Sequence, residues 1–257
     1  MLIDELEVGL VLEYIVNLAR EMILAGANIE RIETIATQTS ECYGLRDVSI
    51  FLLNTHMIIS AKSENGIYVS RQVTIPPGGI HLERLRDLDR LSRAVISDKP
   101  GTERLIPMLH ETLEGRTYPD WMVLLGQMLA TSSLSLLFGG TPIDAAAVAV
   151  ITAALHYLLR AFARPGIAHI VSNAICMWVV TTLAILMSKA GVGDHPSVVI
   201  MSVILLVIPG IPLVNAMRNI FCNNEMNGIL QLMKVVLETV SLVVGIYISS
   251  WMFGGII

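Results

Sequence analysis

Apolar positions recur with a helical or strand period up to about residue 118, and beyond it they run almost unbroken. Leu10, Tyr14, Leu18 and Met22 share one helical face, with Glu13, Asn17, Arg20 and Glu21 between them. That spacing predicts an amphipathic helix ending at Ala25-Gly26. Asn28 can cap a second helix, with Glu30 in its first turn, running through Ile32, Ile35 and Ala36 to Tyr43-Gly44. Three strand-like runs follow: Val48 to Leu53, Met57 to Ala61, and an alternating stretch from Ile67 to Thr74. Asn65-Gly66 marks a hairpin between the second and third. Pro76-Pro77-Gly78-Gly79 stops the sheet, and helices are expected from about His81 to Ser97 and from Glu103 to Glu114, parted by Asp98-Lys99-Pro100-Gly101. Residues 1–118 thus read as an α+β domain of order α-α-β-β-β-α-α.

Residues 119–257 read as an all-α bundle of five transmembrane helices. The apolar segments are Trp121 to Phe138, Ile143 to Leu159, Ile167 to Met187, Val198 to Val214 and Ile229 to Phe253. Two of them barely reach the roughly 20 residues needed to cross a bilayer. With the N-terminal domain in the cytoplasm, Arg116, Arg160, Arg164 and Arg218 fall at inner ends and Lys189 alone at an outer one. The positive-inside bias supports that orientation and puts the C-terminus outside. Five spans are an odd number, and no part of the chain repeats them. A second five-span unit of opposite orientation, carried on another polypeptide, would complete an inverted repeat.

The fourth apolar segment carries an unusual run, Leu205-Leu206-Val207-Ile208-Pro209-Gly210-Ile211-Pro212-Leu213-Val214-Asn215-Ala216-Met217-Arg218. Two prolines and a glycine in four positions remove backbone donors and add freedom, so a regular helix is expected to break there. Non-helical backbone at membrane depth is tolerated only where protein buries it or it lines a wet cavity. The break is either a simple kink or a transport site, with Pro209, Gly210, Pro212, Asn215 and Arg218 as substrate-binding candidates. Arg218 suits a carboxylate, or else anchors the inner end of the span.

Composition sharpens the division. The 257 residues are 54% hydrophobic and 15% charged, with a mean hydropathy of +0.66. That charge content is well below the roughly 25% of soluble domains and marks an integral membrane protein. A net charge of −5 without a Lys/Arg cluster argues against nucleic acid. Cys42, Cys176 and Cys222 match no metal or redox spacing. The acidic start Met1-Leu2-Ile3-Asp4-Glu5 lacks the basic region of a signal peptide. The N-terminal domain shows no nucleophile elbow, zinc motif or phosphate loop, so no enzyme, metal or cofactor is expected.

Two acidic residues in the apolar half are proton-coupling candidates. Asp144 follows Gly139-Gly140-Thr141-Pro142 and either complements its helix dipole or relays a proton or substrate. Glu238 sits about ten residues into the last span, where an ionisable group is costly unless it works or lies near an interface. Ser132, Ser133, Ser135, Ser172 and Asn173 are expected to serve helix packing. His156 and His195 lie near span ends, in solvated or interfacial positions.

Several of these runs carry a family resemblance. Ile23-Leu24-Ala25-Gly26-Ala27, Arg31-Ile32-Glu33, Gly44-Leu45, Phe138-Gly139-Gly140, the run from Leu205 to Ala216 and Asn227-Gly228-Ile229 resemble the threonine/serine exporter (ThrE) family. The Pro-Gly-x-Pro-Leu-x-Asn-Ala run is the most specific part. In that family some members fuse the soluble domain to ten spans and others split them between two subunits. The chain is similar to the larger, YjjP-like subunit of the split form, which implies a five-span YjjB-like partner subunit and a higher oligomer. The resemblance also implies proton-motive-force-driven export of small carboxylates (threonine, serine or a dicarboxylate such as succinate) across a bacterial cytoplasmic membrane. The alternative is a membrane-anchored enzyme or signalling module whose activity lies in residues 1–118.

Overall fold

The computed structural model describes residues 2–253 apart from 54, 64–65, 77–78, 116–117 and 163–168. Asn65 of the expected hairpin, Pro77 and Gly78 of the sheet stop, Arg116 and Arg164 of the charge argument, and Ile167 at the expected start of the third span lie outside the described residues. The chain forms two compact units, one of Met1–Thr117 with Val214–Gln231, the other of Tyr118–Leu213 with Leu232–Ile257. It therefore leaves the first unit and later returns to it.

The first unit begins with α1 (Leu2–Leu24), α2 (Ile29–Cys42), β1 (Arg46–Leu53), β2 (His56–Lys62) and β3 (Tyr68–Thr74), followed by α3 (Leu82–Asp98) and α4 (Thr102–Leu113). The strands make an antiparallel sheet of order β1-β2-β3, with Ile50 opposite Ile59 and Met57 opposite Val73. On β2 the buried residues are Met57, Ile59 and Ala61, the alternation a one-sided sheet requires. Asn28 caps α2 as expected, its side chain accepting from the Arg31 N–H.

α1 keeps the polar edge expected of it, with Glu13 exposed and Asn17, Arg20 and Glu21 half-buried. Its buried face is wider than the expected stripe, since Val11, Leu12, Ile15, Val16 and Ala19 are buried along with Tyr14, Leu18 and Met22. An apolar face that wide belongs to a helix packed on several sides. Its neighbours are α2, α3, α4 and the sheet.

In the second unit, α5 (Asp120–Leu137), α6 (Pro142–Phe162), α7 (His169–Lys189) and α8 (Pro196–Ile204) pack together, and the chain ends in α10 (Glu225–Met252). Val148, Ile151, Leu155, Cys176, Met177, Val180, Val203 and Leu242 form the core. Hydroxyls join α5 to α6: buried Thr131 Oγ1 lies 2.8 Å from buried Thr152 Oγ1, and the half-buried Ser132 Oγ donates to the Ala145 carbonyl at 3.0 Å. Such pairs satisfy polar atoms that lipid could not. Large apolar side chains such as Leu129, Val150, Tyr247 and Trp251 are exposed.

Among the described residues, three helices are long and apolar enough to cross a membrane: Pro142–Phe162, His169–Lys189 and Glu225–Met252. The expected fourth span, Val198 to Val214, is not one helix. It is divided between α8, of 9 residues, and α9 (Gly210–Phe221), of 12. At 1.5 Å per residue these reach only about 14 and 18 Å, short of the roughly 30 Å of bilayer hydrocarbon. The expected first span is the 18-residue α5, which is not among the three.

Candidate functional site

The division of the fourth segment has a clear local cause. Turns at Leu205–Ile208 are closed by Leu206 N–H to the Val203 carbonyl and by Val207 and Ile208 N–H to that of Ile204. Pro209 precedes α9 and Pro212 sits in its first turn, where a missing N–H leaves no helical bond unmade. The Gly210 N–H is engaged, donating to the Ile208 carbonyl at 2.8 Å. A Cβ at Gly210 would meet open space, with no heavy atom within 4 Å. Neither sterics nor backbone angle within the chain therefore demands glycine there.

Asn215 and Arg218 lie further along α9 and both are engaged within the first unit. Asn215 Nδ2 donates to the Gly26 carbonyl at 3.3 Å, and Arg218 Nη2 to Glu30 Oε2 at 2.7 Å. Glu30 and the Cys222 thiol raise the Arg218 pKa above its ordinary value, Glu30 most strongly, so this group stays cationic.

Asp144 is wholly buried at the start of α6. Its Oδ2 accepts from the Thr141 N–H at 2.8 Å and the Thr141 hydroxyl at 3.0 Å, while Thr141 Oγ1 accepts from the Asp144 N–H at 3.2 Å. This is a reciprocal capping box, with aspartate in the place of glutamate. The same carboxylate ties down the loop before α8: Oδ1 accepts from the N–H groups of Asp194 (2.8 Å) and His195 (3.2 Å), and His195 Nδ1 lies 3.1 Å from Oδ2. A carboxylate only accepts, so that last bond requires the proton on Nδ1. Glu238, on α10, has Lys234 Nζ at 4.0 Å one turn away.

The structure thus brings Asp144 together with His195, a pairing that sequence reasoning missed. The Thr-x-x-Asp spacing was there to suggest the cap, but nothing in the sequence joins residue 144 to residue 195. A second missed pair is Gln127 and His156, whose Oε1 and Nδ1 lie 2.8 Å apart. Asp144 and Glu238 are not in hydrogen-bond or ion-pair contact with each other.

The family model for ThrE, described as "Putative threonine/serine exporter", matches residues 13–252. The chain belongs to the ThrE family. The family is one of exporters rather than enzymes. A similar protein, from Mycobacterium tuberculosis (strain ATCC 25618 / H37Rv), is described as "Probable threonine/serine exporter". It is 23% identical over 249 residues, which make up 96% of this chain and 47% of that protein. The ThrE chain described here therefore spans about half the length of that curated relative. No solved structure matches it.

Proposed function

We propose that the chain is the larger, domain-carrying subunit of a two-component secondary exporter in a bacterial cytoplasmic membrane. It moves small carboxylates outward (threonine, serine or a dicarboxylate such as succinate), driven by the proton-motive force. In this reading residues 1–118 form a cytoplasmic domain, and five spans follow, with the C-terminus outside. A five-span YjjB-like partner of opposite orientation completes the transport unit as an inverted repeat.

The observation that carries the reading is the match of residues 13–252 to an exporter family. The broken fourth segment supports it, since a discontinuous helix frees backbone groups that can meet a polar cargo. Pro209, Gly210 and Pro212 would line the path, Asn215 and Arg218 would receive the cargo carboxylate, and Asp144 or Glu238 would handle the proton.

The test is export of labelled threonine and succinate from cells lacking both subunits and then regaining one or both. Export restored only by the pair is the expected result. Restoration by this chain alone would refute the two-component reading. Because a Cβ at Gly210 would meet open space, Gly210→Leu is expected to leave the fold standing, which thermal unfolding checks, and should cut export by about tenfold or more. Undiminished export in that variant would remove the break from the transport path.

A further inference from the structure

Arg31, Arg93 and Arg218 line one cleft of the first unit, about 550 Å³ in volume, together with Glu30 and Asp89. Asp89 is shared, with Arg31 Nη2 at 2.5 Å on one oxygen and Arg93 Nε at 3.2 Å on the other. Among the described residues, Glu30 is the one carboxylate paired with Arg218. Three guanidiniums against two carboxylates leave one positive charge in excess. The N-terminus of α2 opens into the same cleft, adding its positive dipole end. There Asn28 Oδ1 caps the helix, while its Nδ2 is buried with no partner among the described residues.

Each of these features favours an anion, and Glu30 indicates which kind. A carboxylate already sits on Arg218, and carboxylates fit the guanidinium fork. Both side chains of that pair are more than half exposed, 54% and 55%. Exposed pairs contribute only about 0–1 kcal/mol, so an incoming carboxylate displaces Glu30 at small cost.

We propose that this cleft binds a small carboxylate anion, which takes Arg218 from Glu30 and gains Arg93 as a further donor. The excess positive charge selects a net anion over a zwitterion. The proposal shares Arg218 with the export reading and rests on it for that residue alone; binding requires no transport.

Titration calorimetry on the purified full chain, at constant ionic strength, tests it with succinate and L-threonine as separate probes and chloride as the control. Saturable succinate binding is expected, weakened about tenfold or more by Arg93→Gln and tightened several-fold by Glu30→Gln, which removes the competing carboxylate. Arg93 is 77% exposed, so its loss should spare the fold; thermal unfolding of each variant checks this, and Arg93→Lys, which keeps the charge and loses the fork, should weaken binding to a lesser degree. Absence of saturable succinate binding would overturn the proposal, as would binding indifferent to both Arg93→Gln and Glu30→Gln. Tighter binding of L-threonine that Glu30→Gln weakens would also overturn it, because Glu30 would then hold an ammonium group. Loss of export with binding intact would count against the transport reading and leave the cleft assignment standing.

Discussion

Gly193 approaches Asp144 so closely that a Cβ built on the glycine would stand 2.9 Å from Asp144 Oδ1. Its φ of +98° is also one that only glycine adopts without strain. Both facts serve the same corner, in which the N–H groups of Asp194 and His195 reach the buried carboxylate. Gly193→Ala is expected to lower stability by about 1–3 kcal/mol. Asp144→Asn, which turns an acceptor into a donor facing N–H groups, should cost more than about 3 kcal/mol. Thermal unfolding in detergent measures both. A fully stable Asp144→Asn protein that had lost proton-driven export would assign Asp144 to coupling rather than to the corner.

Two glycines let helices approach in ways no side chain would allow. A Cβ on Gly245 of α10 would run into the Ala174 carbonyl, with the Trp178 N–H 2.9 Å away on α7. In the first unit, a Cβ on Gly228 would lie 2.8 Å from the Ala216 carbonyl and 2.5 Å from the Ile220 side chain. Rigid backbone stands in the way at each, so neither can be relieved by a rotamer change. Gly245→Ala and Gly228→Ala should each lower the unfolding temperature, by an amount matching roughly 1–3 kcal/mol or more. An unfolding temperature unchanged in either would show that the neighbouring helix can yield.

Tyr14 is fully buried, and its hydroxyl has no partner among the described residues. An unsatisfied buried hydroxyl costs about 1–3 kcal/mol. Tyr14→Phe should therefore leave stability unchanged or raise it by about 1 kcal/mol, as read by thermal unfolding. A loss of more than about 1 kcal/mol would mean that the hydroxyl has an unseen partner, such as a buried water.

The same residue sets an alkaline limit. Burial, with a smaller push from Tyr43, raises the Tyr14 pKa above its ordinary value. The folded state thus keeps the proton after the unfolded chain has begun to lose it near pH 10. Stability is full below that pH and falls as pH rises beyond it, because only the unfolded state gains by ionising. Tyr14→Phe should flatten that part of the stability–pH curve, which chemical denaturation between pH 8 and 11 would reveal.

Local features were legible and distant pairings were not. Asn28 announces the start of α2 because a cap is written within three residues, and Pro209 and Pro212 announce the break because they act on their own backbone. The width of the buried face of α1 was hidden, since periodicity at Leu10, Tyr14, Leu18 and Met22 records one stripe and cannot say what covers Val11 or Ile15. Asn215 and Arg218 were noticed for their nearness to the break, but their partners Gly26 and Glu30 lie 189 and 188 residues away. Asp144 could be read as a helix-start carboxylate; its hold on residues 194 and 195 required the fold.

The return of residues 214–231 to the first unit bears on the order of assembly during synthesis. Asn227 Nδ2 donates to the Leu52 carbonyl at 2.6 Å across 175 residues. Domains generally fold as units in the order in which they are made, yet here the early helices and sheet must wait for a late segment to be translated. Closing so long a loop is entropically costly and kinetically slow. A nascent chain halted before Val214 would hold an unfinished first unit, open to proteolysis and to chaperones until the last of its helices arrived.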